Sequence, residues 1–340
     1  MIVRFALAIG LILAAGSGTP VVAQAPTDNA PPTCGGKNLI EDARSTNSPL
    51  YRAALAQAKD VPNGEGLLWK VEKAGAAPSY LFGTMATTDE RAVAMARSMA
   101  KYIEGMPTVA TELGDFSDPE LKAGLAKNLA RRVAADTTET AALVGSAEDL
   151  EHMGEVLKGY GLDSRALRLP PWRLVDLFWI PVCEYQRSKR GLPSTDQVIV
   201  DLGKAARARI VGLEGWDEEA DALQAVNPKI LARVLVHRAR RPGLIEDLFA
   251  TGLALYLEQH VGLDHNLAQV VAEVDARDFE AYDILRSMVV ENRNFVLWRH
   301  AKPLVGAGGV FLAVSALNIV GKYGLIELMR ADGYSVTRVQ

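Results

Sequence analysis

Two stretches far apart in the chain share one layout, and together they leave few folds open. Ser79-Tyr80-Leu81-Phe82-Gly83-Thr84 reads as a short buried strand, and Met85 to Asp89 as a polar turn leading into a helix. Near the other end, Phe311 to Gly324 repeats the scheme of strand, polar turn and helix start. Strand–turn–helix units at both ends of a long chain predict an α/β fold. Such folds gather their functional side chains at the carboxyl ends of strands.

The stretches between them fill in the plan. Gly66 to Lys73 predicts a strand that pairs with Ser79–Thr84 as a hairpin through the turn Ala74 to Pro78. Further strands are expected at Thr108–Leu113, Arg209–Leu213, Val310–Ala316 and Tyr334–Val339. Asn38 to Lys59 reads as one helix, and Thr88-Asp89 can cap another. Asp118 to Lys204 and Glu218 to His300 are mostly helical in pattern. Pro170-Pro171 opens an aromatic-rich helix there, and Ser194-Thr195-Asp196 caps a helix that runs to Ala206. The expected architecture is a mixed central sheet carrying a large, mainly helical insertion. Residues 38–340 then form one domain, with helical insertions at about 116–208 and 217–305.

The first residues read as a targeting segment. Arg4 is a short positive region, Phe5 to Ala15 is apolar, and Val21-Val22-Ala23 ends on a small residue. This predicts a secretory signal peptide cleaved after Ala23, followed by a flexible leader over 24–37. The alternative is an uncleaved anchor, but the apolar run is short for a span of about 20 residues. No later stretch is long and apolar enough to cross a bilayer. A periplasmic or secreted location follows. In such a compartment the two cysteines, Cys34 and Cys183, suggest one disulfide; two buried thiols are the alternative.

Charge narrows the function classes. The net charge is −4, and loss of Arg4 with the leader makes it −5. The two short basic runs, Arg187 to Arg190 and His237 to Arg241, sit at helix ends, where cations complement the dipole. Nucleic-acid binding is therefore not expected.

Four strand ends carry polar or glycine-flanked positions: Gly83 to Asp89, Glu112 to Asp115, Glu214, and Ser315 to Asn318. If the strands are neighbours, these residues face one cleft. Asp89 and Glu112 could work as an acid–base pair, although Asp89 equally suits a helix cap and Glu112 a hydrogen-bonding role. Arg293 could hold an anion or pair with an acid in the helical packing. His152, His237, His260, His265 and His300 show no metal-site spacing. His260 and His265, for example, lie about 500° apart around a helix. They read as surface or packing residues.

At these positions the chain resembles a known family. Tyr80 to Met85, Thr88-Asp89 and Glu112 are similar to the N-terminal block of the TraB/GumN family, which includes the TIKI proteases. Arg293-Asn294, Phe311 to Gly324 and Gly333-Tyr334-Ser335-Val336 are similar to its C-terminal block. The resemblance covers about residues 64–340 and implies a fold related to the ChaN and erythromycin-esterase group. It also implies a G-x-x-H motif in each block, whose histidines join a glutamate in a divalent-metal site for hydrolysis.

The motifs here read Gly83-Thr84-Met85-Ala86 and Ser315-Ala316-Leu317-Asn318. Alanine and asparagine stand at the two histidine positions. Alanine cannot ligate, and asparagine offers one neutral oxygen suited only to hard cations. The expectation is a pseudoenzyme of this family with no metal or other cofactor, binding a peptide, saccharide or partner protein in the cell envelope. The alternative is a metal-dependent hydrolase or peptidase with a site rebuilt from Glu112, Asp89 and Asn318. Gly83, Ala86, Glu214, Ser315, Asn318 and Arg293 are expected to line the cleft in either case.

Overall fold

The computed structural model describes residues 30–47, 49–241, 243–265 and 276–339. The expected signal peptide, part of the leader, and His265 as a side chain lie outside the described residues.

Among the described residues, six strands form one mixed sheet. They are β1 (Leu68–Glu72), β2 (Ser79–Thr84), β3 (Thr108–Thr111), β4 (Arg209–Gly212), β5 (Val310–Ser315) and β6 (Ser335–Arg338). Their order is β4-β3-β5-β2-β1-β6. β4, β3, β5 and β2 are parallel, with Val109 opposite both Ile210 and Phe311, and Phe82 opposite Ala313. β1 runs antiparallel to β2 and β6, with Trp69 facing Leu81 on one side and Arg338 on the other. The expected hairpin is present. The four strand ends singled out from the sequence are neighbours, so their polar termini share one edge. β3, β5 and β2 are buried along nearly their whole length, as parallel strands covered on both faces must be.

Among the described residues, three apolar clusters hold the fold together. The first packs the sheet (Leu81, Phe82, Val109, Phe311) against helices through Ile103, Leu297 and Met329. The second is helical and joins Leu129, Met153 and Phe178 of the first insertion to Leu235, Leu285 and Val289 of the second. The two insertions thus share one core. Each fully buried phenylalanine or leucine in these clusters contributes about 1.5–3 kcal/mol. A third, small cluster seats Ile40, Tyr51 and Ala54 against Leu255 and Leu263.

Two helical expectations need correction. The stretch Asn38–Lys59 is two helices, Leu39–Ser45 and Pro49–Lys59. Pro49 suits the first turn of a new helix but disfavours helical geometry just before it. The aromatic-rich stretch after Pro170 is a short helix, Pro171–Leu174, then a 3₁₀ turn, Val175–Phe178. A fresh helix, Val182–Lys189, starts after Pro181.

Gly83 explains how β2 and the segment after β5 come so close. A Cβ there would lie 3.0 Å from both Ala316 Cα and Ile319 Cδ1. The Gly83 carbonyl accepts a hydrogen bond from Tyr256 Oη at 3.0 Å, which pins the strand on its other flank. Gly83→Ala should therefore destabilise the fold by about 1–3 kcal/mol through overpacking. Urea unfolding will measure it, and an unchanged midpoint would show that the two segments can move apart freely.

Candidate functional site

Glu112 ends β3 and is 2% exposed. Its Oε1 accepts the backbone N–H of Ser315 at 2.6 Å and Nδ2 of Asn318 at 3.4 Å. Its Oε2 accepts Nη2 of Arg293 at 3.2 Å. Arg293 also forks onto Glu214 beyond β4, with Nε to Oε1 at 3.0 Å and Nη2 to Oε2 at 2.5 Å. Its Nη1 donates to the Val289 carbonyl at 3.3 Å and lies 3.8 Å from Glu219 Oε1. One guanidinium therefore ties the ends of β3 and β4 to the helices Trp216–Gln224 and Asn292–Ala307. All four charged side chains are buried.

Burial pushes Glu214 above the ordinary carboxylate range; Arg293 opposes the shift, while Glu112 and Glu218 add to it. Burial also works against the Arg293 cation, but Glu219, Glu214 and Glu112 outweigh it and hold its pKa above the usual value. Three buried acids around one guanidinium form a tightly coupled unit in which the cation is indispensable.

The sequence candidates divide between this cluster and a neighbouring cleft. Glu112, Glu214, Ser315, Asn318 and Arg293 meet directly. Ala86 instead lines a cleft of about 560 Å³, with Thr87 and Thr88 beyond β2 and with Thr111 and Gly114 at the end of β3. Its opposite wall is the helical insertion, through Glu184, Tyr185, Asp196 and Gln197. Asp89 serves as a helix cap. Its Oδ1 accepts Arg91 N at 3.0 Å, and its carboxylate pairs with the Arg91 side chain. Burial works to raise its pKa, but these bonds to Arg91 leave it below the usual value. Cys34 and Cys183 are joined in a disulfide with a Cα–Cα distance of 5.2 Å.

Three residues escaped the sequence reading. Glu219 sits in Asp217-Glu218-Glu219, a run that looks like a solvated face. Its spacing to Leu223, one helical turn on, was the available signal, and both are 1% exposed. Glu184 accepts the backbone N–H of Thr88 at 2.8 Å and its hydroxyl at 3.0 Å. Asp196 accepts the Thr84 hydroxyl at 2.8 Å. Nothing local in the sequence marks these two contacts, which join segments 96 and 112 residues apart.

The divalent metal implied by the motif resemblance does not fit this donor set. The oxygens of Glu112 face an amide N–H, the Asn318 amide nitrogen and a guanidinium, all of them donors. Asn318 thus presents hydrogens where a ligand would present a lone pair, and Ala86 presents nothing. Among the described residues, no three His, Cys, Asp or Glu side chains are placed to hold an ion.

A family model described as the TraB/PrgY/gumN family matches residues 67–338. No curated protein and no solved structure matches the chain.

Proposed function

The chain belongs to the TraB/PrgY/gumN family, and from that premise we propose that it is an exported, non-catalytic member that binds a ligand in the cell envelope. The observation that carries this reading is Glu112. In a metallohydrolase the carboxylate must offer lone pairs to an ion or a water. Here its oxygens meet Ser315 N–H, Asn318 and Arg293, so it closes the strand ends together instead. Export is supported by the Cys34–Cys183 disulfide, since such bonds persist in oxidising compartments. No helix among the described residues is long and apolar enough to cross a membrane.

Calorimetric titration of the mature protein with Zn²⁺ and Mn²⁺ tests the reading, alongside a casein-hydrolysis assay. The expected result is no stoichiometric binding and no hydrolysis. Chelator-sensitive hydrolysis by the unmodified protein would overturn the proposal in favour of a rebuilt metallopeptidase site.

A further inference from the structure

Resting on that non-catalytic reading, we propose that the cleft beside the closed cluster is a saccharide site, shaped for a neutral or N-acetylated oligosaccharide. Its volume of about 560 Å³ is in the range that encloses a small ligand.

The cleft floor is made by the ends of β2 and β3. Both strands are interior to the sheet, with β5 between them and β1 and β4 on their outer sides. Neither has an unpaired backbone edge, so an extended peptide cannot add to the sheet here. The charged lining groups are Glu184, Asp196 and Asp201 against Lys122. That excess of acid disfavours a phosphorylated or carboxylated ligand. It gives little hold on a free cation either, because Arg187 pairs with Glu184 at 3.2 Å and Asp201 accepts the Gln197 amide at 2.9 Å.

What remains is a wall of hydroxyls, carboxylate acceptors and aromatic surface. Thr87, Thr88, Ser188 and Tyr185 line it together with Phe116 and Gln197. Polyhydroxylated rings present both donors and acceptors on a partly apolar face, and this mixture matches them. Tyr185 supplies the pointed observation. It is 7% exposed, lines the cleft, and packs edge-on against Tyr160 at 5.3 Å. Its phenol oxygen makes no hydrogen bond to the described residues and keeps contact with solvent, so a ligand hydroxyl in the cleft can bond to it in place of water.

The test uses the full mature chain with maltotriose, cellotriose and chitotriose as probes and trilysine as the cationic comparison, each titrated at millimolar concentration by calorimetry. At least one trisaccharide should bind. Tyr185→Phe, which keeps the ring, should weaken it by about three- to tenfold, the effect of one neutral hydrogen bond. Ala86→Trp should abolish binding by filling the floor, with circular dichroism confirming that the variant is folded. The proposal is overturned if no trisaccharide binds, if trilysine alone binds, or if a folded Ala86→Trp protein binds unchanged. Cleavage of a bound trisaccharide, read by chromatography, would overturn the non-catalytic reading and leave the saccharide site standing.

Discussion

Replacing Arg293 with methionine should lower the stability of the fold by about 3–5 kcal/mol, the usual loss when a buried ion cluster keeps its acids and loses its cation. The residue is 5% exposed and contacts Glu214, Glu112 and the Val289 carbonyl. Methionine replaces the apolar stem but leaves three buried carboxylates facing one another. The loss should depend on pH with a definite sign. Burial already raises the Glu214 pKa in the folded state, so the folded chain binds that proton more tightly than the unfolded chain does. Its contribution is fully present below the unfolded carboxylate pKa and is lost as pH rises through the folded value. Without Arg293 the shift grows, and the variant should lose more stability at pH 8 than at pH 5. Urea unfolding at both values measures this. Arg293→Lys should recover only part of the loss, because one ammonium cannot span Glu214 and Glu112 with a fork. Equal stability of variant and parent at pH 8 would show that the acids are already neutral and the cation dispensable.

The same cluster shows what was legible in the sequence and what was not. The strands, the β1–β2 hairpin and the Asp89 cap could be read locally, because periodicity, turn residues and capping chemistry act over a few positions. Glu112, Glu214 and Arg293 were recognisable as strand-end or motif residues. Their meeting was not, because Glu112 and Arg293 are 181 residues apart. Strand order is set by long-range packing, and the sequence could say only that the four ends would share a cleft if they were neighbours. Glu219 was hidden because two acids beside it are ordinary helix-surface residues. The break in Asn38–Lys59 was missed although Pro49 marks it, since the apolar spacing ran on across the break. Ala86 had a legible identity but not a legible place: it lines the cleft beside the cluster.

Loss of the Cys34–Cys183 disulfide should be the other large effect, and it should be felt both globally and at the cleft. The bond closes a loop with a sequence separation of 149, for which the chain-entropy model gives up to about 5 kcal/mol. Some of that is recovered by contacts that hold the arm without it. Lys37 N donates to Asp247 at 2.7 Å and Leu39 N to Thr251 at 2.9 Å. A net loss of about 2–4 kcal/mol is expected for Cys34→Ser, or roughly 3–6 °C in Tm for a chain of this size. The local consequence follows from Glu184, the residue after Cys183. Its carboxylate holds the Thr88 backbone N–H and hydroxyl, and Thr88 belongs to the turn that floors the cleft. Freeing the helix Val182–Lys189 from the arm should loosen that grip, so the Thr88 amide should exchange faster in Cys34→Ser than in the parent. Glu184→Gln gives the comparison: it weakens the Thr88 contact with the disulfide intact. If Cys34→Ser lowers Tm while Thr88 exchange stays at the parental rate, the disulfide only shortens the unfolded chain. If both change, the arm is coupled to the cleft through Glu184, and the leader segment helps to set the geometry of the ligand site.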